Sequence, residues 1–184
     1  AAKRYIVEHG LNEHFRGDEE HVGIVMQGGL WNTTMRGLNV LGLADTRGRT
    51  PIPLLVLNAI HPLVPEELIE FMRGKQRILV VEEGMPNYIE RELKALAHEA
   101  RLDVEIQGKE LFSPHGEYVP HLVIGGLRRC VTPAGLTPST HCAIEERDPP
   151  LAAHPGQVRT VPADPAGQRP PSFCTGCPER PAVT

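Results

Sequence analysis

Two thiols separated by two residues, in Cys174-Thr175-Gly176-Cys177, are the string in this sequence best suited to chemistry. The glycine between them permits a tight turn, so one loop can grip a metal centre through both sulfurs. Two ligands are half of a tetrahedral zinc or four-iron set, and the other cysteines, Cys130 and Cys142, stand at no matching spacing. A thioredoxin-like redox pair would open a helix after a first strand, whereas this pair comes late in the sequence. An incomplete metal site, a redox pair and a structural turn all stay open on these residues alone.

Three other places carry groups of interest. Glu82 and Glu83 close an apolar run, the position where open α/β sheets present functional groups. Adjacent carboxylates on an extended chain point to opposite faces, so a direct acid/base pair is not expected, and a capping or partner-facing role is. His61-Pro62 resembles a similar strand-end loop, where a lone histidine is expected to be structural rather than a proton carrier. Gly28-Gly29 separates an apolar run from an amphipathic one, a junction that often cradles phosphate, and Asn32, Thr33 and Thr34 offer donors beside it. The three spaced glycines of a dinucleotide fingerprint and the lysine of a Walker loop are both missing. A structural turn is the expectation there, with anion binding as the alternative.

The elements that must position these groups follow from the apolar pattern. Runs at 22–27, 52–60 and 77–83 are predicted as buried strands, with a weaker fourth at 103–107. Helical spacing joins them at 30–43, from Pro65 behind its acidic first turn of Glu66 and Glu67, and from Pro86 with Ile89, Leu93, Leu96 and Ala97 on one face. A closing helix is predicted from Tyr118 to Cys130, and a lead-in helix from Ala1 to His9. Nearly continuous apolar strands alternating with helices imply a three-layer α/β/α sandwich with a mostly parallel sheet, large enough at about 110 residues for a real core. Strand order is not readable from periodicity.

The predicted division is a lead-in helix and linker at 1–21, the α/β domain at 22–131, and an extended Pro-rich tail at 132–184. The tail has no sustained apolar period to offset the entropy of ordering it. The abrupt start and proline-punctuated exit suggest a piece of a longer chain. With 184 residues and a formal net charge of -4, no basic stripe is available for phosphate neutralisation, so a nucleic-acid partner is not expected. No apolar run approaches the ~20 residues of a membrane span. Nor is there a secretory pattern, and the expected compartment is cytoplasmic.

Taken together, the strings resemble one family. Gly23-Ile-Val-Met-Gln-Gly-Gly29 with Leu30-Trp31-Asn32-Thr33, then Leu54-Leu55-Val56-Leu57-Asn58 with Pro62-Leu63-Val64-Pro65-Glu66-Glu67, are similar to successive units in the middle of indolepyruvate ferredoxin oxidoreductases. Val80-Val81-Glu82-Glu83-Gly84 with Pro86, Ile89 and Glu90 resembles the next unit. Arg169-Pro170-Pro171-Ser172-Phe173 and the cysteine string through Arg180 resemble the entry to that family's thiamine-diphosphate-binding domain. The resemblance implies a domain of the transketolase C-terminal type, set between the pyrimidine-binding and diphosphate-binding domains and mainly architectural. At the level of the whole enzyme it implies thiamine diphosphate with Mg, [4Fe-4S] clusters, ferredoxin and CoA, and oxidative decarboxylation of an arylpyruvate to an acyl-CoA. It makes Cys174 and Cys177 candidate cluster ligands and Glu179 a candidate cofactor contact. No catalytic residue and no bound cofactor are expected within this stretch. Two other classes remain beside this reading: an independent anion- or nucleotide-binding α/β module built on Gly28-Gly29, and a structural interaction domain with a metal-stapled tail.

Overall fold

The computed structural model describes residues 1–112, 117–132 and 134–136. Its centre is a five-stranded sheet in the order β1-β3-β2-β4-β5, formed by Glu13–Phe15 (β1), Val22–Gln27 (β2), Leu54–Leu57 (β3), Arg77–Val81 (β4) and Glu105–Gln107 (β5). β2, β3, β4 and β5 run parallel, and β1 is an antiparallel edge strand on β3. The helices are Ala2–Glu8 (α1), Trp31–Val40 (α2), Pro65–Met72 (α3), Tyr88–Glu99 (α4) and Pro120–Val131 (α5).

Period-two alternation along the strands explains why the apolar runs are unbroken. Val22, Ile24 and Met26 of β2, Leu54 and Val56 of β3, and Leu79 and Val81 of β4 enter one core with Leu38 of α2 and Val123 and Leu127 of α5. The alternate residues Val25, Leu55, Leu57, Ile78 and Val80 enter a second core, against Leu68 and Phe71 of α3 and Ile89, Leu93 and Leu96 of α4. Two helical layers therefore cover the sheet, and the sandwich predicted from the pattern is the observed fold.

Local chemistry sets the helix ends. Pro65 opens α3 with Glu66 and Glu67 in the first turn, at the positive end of the helix dipole. α2 stops three residues short of the predicted stretch because Gly42 adopts φ 72° and Leu43 donates its N–H back to the Leu38 carbonyl at 2.8 Å, a Schellman-type close. The third predicted strand ends at Val81 rather than Glu83, because Glu82 turns away to serve α4. β1 was not foreseen: its three residues are exposed, and Phe15 stacks on Trp31 with ring centroids 4.7 Å apart. No described helix is long and apolar enough to cross a membrane.

Candidate functional site

The path from β2 outward to β3, then back across to β4 and β5, reverses the winding between β2 and β4. Open parallel sheets form a crevice at such a switch point, outside the carboxyl ends of the strands. Here those ends carry Gln27, Glu82 and Glu83. A cavity of about 640 Å³ lies there, between α1, the loop after β3 and the loop after β4.

The two adjacent glutamates diverge as extended geometry requires. Glu82 is 5% exposed, and its carboxylate accepts the N–H of Ile89 at 3.0 Å and of Glu90 at 3.2 Å. It thus caps α4, whose own N-cap residue, Asn87, makes no side-chain cap bond. Glu83 donates its N–H to Gln27 Oε1 at 2.9 Å, and its carboxylate accepts the Tyr118 N–H at 2.9 Å, fastening the entrance of α5. The capping role expected of this pair is what the geometry displays.

A second cluster sits beside it. Lys109 Nζ donates to the Glu82 carbonyl and, at 3.0 Å, to the Tyr118 hydroxyl, while lying 4.7 Å from the Tyr118 ring centre. Burial lowers the Lys109 pKa below the ordinary lysine value, although Glu82, Glu90 and Glu83 oppose the shift. Burial and the same carboxylates hold the Tyr118 hydroxyl above the usual phenol range. Glu90 is 4% exposed on α4 and accepts from the Lys109 N–H at 3.0 Å, Lys94 Nζ at 2.6 Å and Asn87 Nδ2 at 3.1 Å. Burial alone would raise its pKa, but these hydrogen bonds and the Lys94 charge outweigh it and leave the carboxyl below its ordinary range. A carboxylate depressed in the folded state contributes stability above its unfolded pKa and loses that contribution as pH falls through its folded pKa. The stability gap between the native chain and Glu90→Gln is therefore expected to be full at neutral pH and to shrink as pH drops below about 4.3. Urea titrations at several pH values measure it; a gap unchanged down to the acid limit of folding would contradict this account.

Gly28 has a mechanical reason to lack a side chain. A Cβ there would stand 2.2 Å from Asn58 Oδ1, so the glycine makes room for an amide of its own domain. Asn58 in turn donates to the Leu11 carbonyl at 3.0 Å and to Glu13 Oε2 at 3.1 Å, and Asn12 bridges the Ala59 N–H and Glu67. These two asparagines clip the lead-in segment to the loop after β3. Asn32 and Thr33 lie in the first turn of α2, followed by the fully buried Thr34. His61 lies exposed on the cavity wall. Cys130 is buried in α5, where loss of hydration and the nearby Glu105 push its thiol up to about 12 against the opposing charge of Arg77. Cys142, Cys174, Cys177 and Glu179 lie outside the described residues. Lys109 and Tyr118 were missed at the sequence level, being a loop lysine and a tyrosine ahead of a helix, with no period to mark them.

This doubly wound sheet, with its switch-point groups engaged by its own helices, defines a three-layer α/β domain. Residues 12–115 match the family described as the indolepyruvate ferredoxin oxidoreductase middle domain, and the chain belongs to that family. It is 32% identical over 180 residues to an "Indolepyruvate oxidoreductase subunit IorA" of Methanothermobacter thermautotrophicus, covering 94% of this chain and 24% of the relative. The subunit of the same name from Methanothermobacter marburgensis is 30% identical over 176 residues, covering 92% and 23%. That from Pyrococcus horikoshii is 29% identical over 169 residues, covering 89% and 22%. The chain thus spans about a quarter of the length of these curated relatives.

The cofactors implied by the resemblance find no fitting seat among the described residues. The Gly28 turn is filled by Asn58, both switch-point carboxylates already accept backbone N–H groups, and no group of three or more His, Cys, Asp or Glu side chains converges. No chemical step is assigned to these residues.

Proposed function

We propose that this chain is the architectural middle domain of a thiamine-diphosphate-dependent oxidoreductase. The parent enzyme would oxidatively decarboxylate indolepyruvate or another arylpyruvate to an acyl-CoA, with ferredoxin as electron acceptor. The carrying observation is that Glu82, Glu83, Lys109 and Glu90, the polar groups grouped at the functional edge of the sheet, are engaged in holding α4, α5 and the loop at Lys109. Hydrogen-bonded in this way, they position helices rather than substrate. The family membership and the greater length of the relatives agree with the remaining machinery standing elsewhere in the parent enzyme.

On this reading thiamine diphosphate, Mg and [4Fe-4S] clusters belong to the whole enzyme, which works in the cytoplasm, and the cofactor carries the chemistry while the protein orients it. Its partners are the other domains or subunits, ferredoxin and CoA. Cys174 and Cys177 would offer two thiolates to a cluster completed by ligands from elsewhere. Glu179 would lie near the cofactor.

The test is turnover by the isolated chain supplied with indolepyruvate, CoA, thiamine diphosphate, Mg²⁺ and a viologen acceptor. No acyl-CoA formation above the protein-free rate is expected. Formation proportional to added polypeptide would overturn the architectural reading.

A further inference from the structure

Seven large hydrophobic side chains are exposed on the described surface, and three of them, Ile60, Met85 and Tyr88, line the cavity at the sheet's carboxyl edge. They are 48%, 58% and 66% exposed, so water wets three large apolar side chains along one cleft. Lys3, His61 and Glu92 share the same walls, and none of their side chains has a hydrogen bond or ion pair with another described residue. Apolar residues gathered in one place and rimmed by unengaged charges mark a contact surface rather than ordinary scatter.

The openness of those walls decides what kind of occupant fits. A small ligand is held by a pocket that covers most of its surface, whereas Ile60, Met85 and Tyr88 stand about half or more in solvent. An extended segment laid across the cleft covers such walls from above. Of the lining carboxylates, Glu82 and Glu83 are taken up by backbone N–H groups and face the Lys109 charge. The exposed Glu92 has no side-chain partner among the described residues, so a cationic group is favoured beside it. The chain covers 24% of the length of a curated relative, so most of a polypeptide of that size lies outside the present residues. A tethered segment docks at high effective concentration, without the full cost of bimolecular association.

We infer that this cleft seats a segment of the remainder of the parent polypeptide, placing an apolar side chain against Ile60, Met85 and Tyr88 with a lysine or arginine beside Glu92. The inference rests on the middle-domain reading and names the surface through which the domain holds its neighbours. Its readout is a map of contacts, separate from turnover, so loss of the architectural reading by activity of the isolated chain would be seen independently.

The experiment uses the full-length parent protein with photoreactive benzoylphenylalanine in place of Tyr88, and in place of Glu99 at the far end of α4 as the control. A mixture of isotopically light and heavy chains separates contacts within one chain from contacts between copies. Irradiation is expected to join position 88 to a peptide of the same chain, outside residues 1–184, that contains lysine or arginine, with much lower yield at position 99. Glu92→Lys is expected to reduce that yield roughly threefold, the scale of one exposed charge pair. Crosslinks between light and heavy chains, to a different subunit, or confined to residues 1–184 would overturn the inference. So would equal yield at positions 88 and 99, or a yield indifferent to Glu92→Lys.

Discussion

Replacing Glu82 by alanine is expected to lower the stability of the chain by about 3 kcal/mol, the cost of orphaning buried hydrogen-bonding groups. The carboxylate is 5% exposed and accepts two N–H groups from the first turn of α4, at 3.0 and 3.2 Å. No other side chain among the described residues caps that helix, so alanine takes the acceptor away from both donors. It also removes a negative charge from the positive end of the α4 dipole and from beside Lys109, whose ammonium is partly desolvated. Glu82→Gln separates these contributions. It keeps one carbonyl acceptor but turns an amide donor toward the second N–H, and a loss of about 1–2 kcal/mol is expected. Urea unfolding measures both. The alanine variant's midpoint should fall by about 1–2 M with an unchanged slope. A loss below about 1 kcal/mol for alanine would mean that Glu82 is not the cap of α4 in solution.

How far this arrangement is legible in a sequence depends on how far apart its parts lie. β2, β3 and β4 could be read directly because each is apolar on both faces, and Pro65 with its two acids marked the start of α3. Adjacent glutamates closing an apolar run pointed to a capping or a partner-facing role, and the contacts at α4 decide for the cap. The switch point itself was hidden, since strand order is a property of crossovers and leaves no period behind. β1 carries only three residues, Glu13-His14-Phe15, with no alternation to betray pairing with β3. The asparagine clip joins residues 47 positions apart, in the Asn58 bond to the Leu11 carbonyl and the Ala59 bond to Asn12. Asn58 was visible as a strand-end residue, but its use was not. Lys109 lacked even that signal, because a lysine between elements is ordinarily solvated and its anchoring role depends on where Tyr118 and Glu82 meet in space.

The expected effect of alanine at Gly126 runs against the ordinary rule for helices. In the interior of an exposed helix, glycine to alanine gains about 1 kcal/mol. Gly126 lies within α5, in the buried stretch that packs on the sheet, and a Cβ there would stand 2.0 Å from Cε1 and 2.5 Å from Cδ1 of Phe112. Phe112 is 1% exposed, its ring 5.2 Å from that of Tyr118, and it belongs to the core shared by α2, α5 and the sheet. A ring so enclosed cannot swing aside as a lysine tip would, so either the ring or α5 must move. Gly126→Ala is therefore expected to cost about 2–3 kcal/mol despite its better helix propensity, as overpacking of a dense core does. A double-mutant cycle with Phe112→Leu isolates the cause. Leucine alone costs about 1–2 kcal/mol by leaving space where the ring was, and that space admits the new methyl group. The pair should then lose at least about 1 kcal/mol less than the sum of the single losses. Strict additivity, or a Gly126→Ala chain more stable than the native one, would show that α5 does not approach Phe112 this closely in solution.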